Sequence, residues 1–137
     1  MKILLDTNIV MDIVEKRVPF YKDAVALLKT VSAMEVECYF SASSAKDVYY
    51  LVKRHTGSLE TAKQAIVSIS KFVIFCDTTR QDVQNAMLSN VADFEDAVLV
   101  SGAERENMDF VVTRNPQDFA HSTVKIITPT EFLKIHN

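Results

Sequence analysis

At 137 residues the chain has the length of one domain, enough to bury a core without disulfides. Its 15 basic and 18 acidic residues leave a net charge of −3. That excludes a nonspecific duplex binder with a basic face, but not a nuclease that gathers acids around a metal. Gly57 and Gly102 are the only glycines, so neither a GxGxxG nor a Walker loop can be written.

Lys2–Leu5 predicts a short buried strand ending in Asp6-Thr7-Asn8, and Ile9–Glu15 a first helix. The N-terminal apolar run is too short for a signal peptide, and no later run could span a bilayer, so a cytoplasmic location is expected. Pro19 suits the first turn of a second helix with Ala24, Leu27, Leu28 and Val31 on one face. Cys38–Ser41 predicts a second strand. Ser44 opens a helix through about Arg54, with Val48, Leu51, Val52 and His55 on one side. Leu59–Ser70 reads as a helix, Phe72–Phe75 as a third strand, Gln81–Leu88 and Glu95–Glu106 as helices. Phe110–Thr113 is a fourth strand. Val124–Ile127 makes the sheet five-stranded if it pairs, and a last helix starts near Pro129. There is no internal repeat and no linker. Cys38 and Cys76 read as buried free thiols in a reducing compartment. His55, His121 and His136 form neither an HExxH nor a Cys/His cluster, so no zinc site is expected.

Strands alternating with helices indicate βαβ units and a parallel sheet covered on both faces. Ligands of such sheets bind beyond the carboxyl ends of the strands. Acids recur there: Asp6 where the first strand ends, Asp47 after the second, Asn115 and Asp118 after the fourth. Asp93 and Asp96 share a helix face. Each also has a capping role open to it. Thr7 or Asn8 can cap the first helix, Ser44–Asp47 and Asp93–Asp96 resemble capping boxes, and Asn115-Pro116 suits a helix start. Capping does not explain why the acids recur at one edge, nor Asp6, which precedes the expected cap. Carboxylates that converge repel one another, and a hard divalent cation removes that cost.

Leu4-Leu5-Asp6-Thr7-Asn8, Asp93-Phe94-Glu95-Asp96-Ala97 and Thr113-Arg114-Asn115-Pro116-Gln117-Asp118-Phe119, in that order, resemble the PIN domain, and within it the small VapC-like toxins. The resemblance covers essentially the whole chain. It implies a single domain over 1–137: a three-layer α/β/α sandwich around a central, mainly parallel sheet of four to five strands. It implies a Mg²⁺- or Mn²⁺-dependent endoribonuclease, the toxin of a toxin–antitoxin pair. RNA is then the substrate, and a cognate antitoxin lays a segment, often basic, across the acidic cleft. Carried over residue by residue, Asp6 and Asp96 are metal-binding acids, and Asp47 stands where the family usually has Glu. Asn115 stands where many members have a fourth Asp, with Asp118 and Asp93 as nearby supplements. Thr7, Asn8 and Thr113 match supporting positions. The short Asp47 and the uncharged Asn115 suggest one firmly held metal and a second that arrives with substrate.

No histidine is expected to serve as general base. Lys46 and Arg114 are candidates to hold phosphates or are solvated surface charges. The stripes around Val25 and Leu28, and Val48, Leu51 and Val52, are either core or a homodimer or antitoxin surface. Two other readings stay open. A haloacid dehalogenase-type phosphatase needs an Asp where Asn8 stands. A PIN-like binding module that has lost catalysis is compatible with Asn115.

Overall fold

The computed structural model describes residues 1–136. Five short apolar runs pair into one all-parallel sheet in the order β3-β2-β1-β4-β5. They are β1 (Lys2–Leu5), β2 (Glu37–Ser41), β3 (Ile74–Cys76), β4 (Phe110–Val112) and β5 (Lys125–Ile127). The helices are α1 (Thr7–Val14), α2 (Tyr21–Ala33), α3 (Ala42–Thr56), α4 (Leu59–Ile69), α5 (Arg80–Met87), α6 (Phe94–Arg105) and α7 (Pro129–His136).

Strand alternation divides the core in two. Ile3, Leu5, Phe40 and Val112 enter one cluster with Ile9, Leu27, Val48, Ala62 and Phe132, from α1, α2, α3, α4 and α7. Leu4 and Val111 enter the other with Ala86 of α5 and Ala97, Val100 and Ala103 of α6. The sheet is thus covered on both faces, as the three-layer α/β/α architecture requires. The chain runs outward from β1 through β2 to β3, then returns to β4 on the far side of β1. That reversal is a topological switch point. The register pairs Leu5 with both Phe40 and Val112. The next residues, Asp6, Ser41 and Thr113, therefore stand level at the carboxyl edge.

Several boundaries differ from those expected, each for a local reason. Asp6, not Thr7 or Asn8, caps α1: its carboxylate accepts the Thr7 N–H at 2.7 Å. Pro19 lies in a turn before α2, which starts at Tyr21, and the Phe20 ring is held 4.0 Å from the Arg114 guanidinium. Ser41 is both the last residue of β2 and the cap of α3, so Ser44 and Asp47 lie within the helix and form no capping box. Asp47 is consequently in the second turn, not the first. Gly57 closes α3 in the left-handed conformation, φ 68°, as such caps favour. β3 begins at Ile74 because the N–H groups of Phe72 and Val73 both turn back to the Ile69 carbonyl. Pro116–Phe119 is a 3₁₀ turn whose preceding Asn115 makes no side-chain cap. His55 stays on the same side of α3 as Val52 but at its exposed rim, where it is bonded to Glu15 at 2.7 Å. Of the helix stripes, Val48 and Val52 are buried in the core and Leu28 and Leu51 pack against that cluster, while the half-buried Val25 joins neither cluster.

Candidate active site

Asp6 leaves the sheet by donating its N–H to the Val112 carbonyl, 2.9 Å, which fixes the start of its side chain. Both carboxylate oxygens are then oriented. One accepts the Thr7 N–H, and the other accepts the Thr113 hydroxyl at 2.8 Å. Thr113 is fully buried, and its oxygen also accepts the Asn8 amide N–H at 3.2 Å and the Asn115 N–H at 3.1 Å. Asn8 in turn accepts the Arg114 N–H. The loop after β1 and the loop after β4 are stitched together around one hydroxyl. Burial raises the Asp6 carboxyl above its usual range, opposed by the Thr113 and Thr7 bonds and reinforced by the nearby Asp118 charge.

Asp96 enters from α6. Asp93 caps that helix by accepting the Asp96 N–H at 3.1 Å, which presents the half-buried Asp96 side chain to the same edge. Its carboxyl is pushed up to about 7, first by burial and then by the charges of Asp6, Asp93, Asp118 and Glu95. Asp96 thus lies within electrostatic reach of each of these acids. Asp6, Asp96 and Asp47 line a cleft of about 590 Å³. Asp96 also borders a second depression of about 470 Å³ with Asp93, Asp118 and His121. Asn115 lines neither, so the acid that the β4 loop brings to the edge is Asp118, on the exposed side of the 3₁₀ turn. Among the described residues, no three His, Cys, Asp or Glu side chains already stand close enough to hold a metal.

The two candidate phosphate holders part company. Lys46 is exposed on the cleft wall. Arg114 points away, into a 2.6 Å ion pair with Asp12, which is fully buried on α1. The Asp12 carboxyl is raised by burial, with the Arg114 bond opposing it. Sequence reasoning passed over Asp12, yet a signal was there: an acid within the apolar run of α1 must be paired if buried. It also passed over Ser41, Ser43 and Thr78, whose hydroxyls form a triangle of 2.8–2.9 Å bonds on the cleft wall. That grouping follows only from the β2–β3 pairing. His121, set aside on sequence, stands beside Asp118 and Asp96 in the second depression.

The PIN domain profile matches residues 2–117. No curated protein matches the chain. Among solved structures the fold is similar to VapBC2 from Rickettsia felis bound to a DNA fragment from their promoter, with TM-score 0.71, 15% identity, and 93% of this chain and 98% of the other covered. It is similar to DNA-bound VapBC from Salmonella typhimurium, with TM-score 0.72, 14% identity and coverage of 94% and 98%. It is also similar to Mycobacterium tuberculosis VapC20, a sarcin-ricin loop cleaving toxin, with TM-score 0.62, 15% identity and coverage of 80% and 86%. At these identities the structural likeness carries the fold. The profile spans Asp6, Asp47, Asp96 and Thr113, and it carries the family: this chain belongs to the PIN domain family.

Proposed function

We propose that the chain is a metal-dependent endoribonuclease and the toxin of a toxin–antitoxin pair. The observation that carries this reading is that Asp6 from the end of β1, Asp47 from α3 and Asp96 from α6 line one cleft beside the sheet's switch point, with Asp118 near enough for its charge to raise the Asp6 and Asp96 carboxyls. The donors are all oxygen and under mutual repulsion, which fits a hard divalent cation such as Mg²⁺ or Mn²⁺. Asp6 and Asp96 would hold it, with Asp47 and Asp118 as further oxygen donors. When bound, such a cation supplies Lewis-acid activation of water and of the scissile phosphate.

The chain's own part is positioning. Thr113 and Thr7 fix the Asp6 oxygens, Asn8 ties the two loops, and Asp93 sets the start of α6. Lys46 offers an ammonium to a phosphate. Arg114 belongs to this positioning set through Asp12 and is not a phosphate contact in the geometry seen.

An antitoxin partner is supported by the solved neighbours, several of which are toxin–antitoxin complexes, including one from Klebsiella pneumoniae. A cytoplasmic location and a homodimer belong to the same reading. Among the described residues no helix is long and apolar enough to cross a membrane. The reading is tested with purified protein, single-stranded RNA and Mn²⁺. Cleavage is expected, and both Asp6→Asn and Asp96→Asn are expected to abolish it with the circular dichroism unchanged. Full cleavage by the Asp6→Asn protein would sink it. The second reading, a binding module weakened by Asp47 and Asn115, predicts RNA binding without cleavage by the wild type.

A further inference from the structure

Two aromatic side chains in the cleft are left unexplained by the fold. Tyr50 is 55% exposed and Phe94 is 49% exposed, and neither joins either hydrophobic core. Both line the cleft that holds Asp6 and Asp96. Tyr50 follows Lys46 and Asp47 by one helical turn on α3, and Phe94 is the first residue of α6, two before Asp96. Together they place aromatic surface open to solvent beside the acids.

We infer that Tyr50 and Phe94 form the stacking surface for an unpaired base next to the phosphate that faces Asp6 and Asp96; this rests on the nuclease reading above. The rest of the cleft suits a nucleotide better than an apolar peptide. Lys46 is an exposed ammonium, and the Ser43 and Thr78 hydroxyls lie on the same wall, so a phosphate meets a cation and a sugar hydroxyl meets oxygen acceptors where the base meets a ring. The charge balance points the same way. With a net charge of −3 the chain brings few cations to a polyanion beyond Lys46 and the bound metal, and stacking adds affinity that charge does not govern. Stacking on an aromatic ring is open only to a base outside a duplex.

The test is steady-state cleavage in Mn²⁺ of single-stranded oligoribonucleotides carrying the fluorescent base 2-aminopurine at successive positions. Tyr50→Ala and Phe94→Ala are expected to raise KM about tenfold with little change in kcat. They are also expected to remove the protein-induced fluorescence change at one position. Tyr50→Phe and Phe94→Tyr should keep both, and a duplex of the same sequence should be a poor substrate for every variant. Alanine variants with the wild-type KM and fluorescence response would overturn the inference. If their oligomeric state shifted as well, the pair would belong to a protein interface. A wild type that changes the fluorescence but never cleaves would defeat the nuclease reading and leave the stacking surface standing. A wild type that does neither would defeat both.

Discussion

The two oxygens of Asp6 are held by unlike donors, the Thr7 N–H and the Thr113 hydroxyl, and only the second can be removed by mutation without changing the backbone. Thr113→Val would strand a buried Asp6 oxygen, the Asn8 amide and the Asn115 N–H together. We expect a loss of about 1–3 kcal/mol in urea unfolding, with Thr113→Ser close to wild type. Asp96 sets a pH dependence. Its folded carboxyl lies at about 7, against an ordinary value near 4, so the folded state holds its proton longer than the unfolded state. Stability of the metal-free protein from this group is therefore present at low pH and lost as pH rises through about 7. Asp6 is raised too and acts in the same direction, whereas Asp82, Glu15 and Glu131 are lowered and lose their contribution only under acid conditions. Thermal melting in EDTA should show the wild type falling between pH 5.5 and 7.5 and Asp96→Asn falling less. A wild type with a flat profile would remove the basis for crowded acids.

At the scale of elements, the site depends on where three helices begin. α1 begins at Asp6, α3 at the last residue of β2, and α6 at Asp93. α6 is anchored from behind by Asp82, which closes the Thr79 capping box of α5 and accepts from Ser101 and Arg105. Burial pulls the Asp82 carboxyl up, but the Arg105, Thr79 and Ser101 bonds win and hold it below its usual range. Arg105→Ala leaves that carboxylate, 1% exposed, without its cation, and should cost about 3–5 kcal/mol by chemical denaturation. A loss below about 1 kcal/mol would show that the pair does not set the α5–α6 packing. Helix identity was readable from the sequence, because apolar spacing in α2, α3 and α4 is unambiguous. Helix starts were not. Asp6 looked like an acid ahead of a cap, yet the N–H that follows it had no better acceptor. Ser44–Asp47 had the letters of a capping box, but the strand passes into α3 at Ser41 with no loop between. The place of Asp6 at the carboxyl edge was legible because it ends an apolar strand, and that of Asp96 because it lies one turn after Asp93 in its motif. The Asp12–Arg114 pair and the hydroxyl triangle were not, since each joins residues that only the tertiary fold brings together.

At the scale of the whole molecule, strand register converts separate motifs into one edge. Leu5 opposite Phe40 and Val112 makes Asp6, Ser41 and Thr113 neighbours, although they are far apart in the chain. The face that backs this edge is closed by Phe132 of the last helix, fully buried and edge-on to Phe110 at 6.4 Å between centroids. Phe132→Ala should cost about 3–5 kcal/mol by denaturant unfolding while leaving the acids in place, so a folded sample should still cleave. In the proposed reaction, carboxylates from the end of β1 and from α6 act together on RNA through a bound divalent cation. It is tested most directly by single-turnover cleavage of single-stranded RNA as Mn²⁺ is titrated into metal-free wild type and Asp96→Asn protein. Cleavage is expected to rise and saturate with Mn²⁺ in the wild type, to vanish on chelation, and to be absent from the variant at every concentration. Cleavage that persists in EDTA, or that runs equally fast in Asp96→Asn, would contradict it.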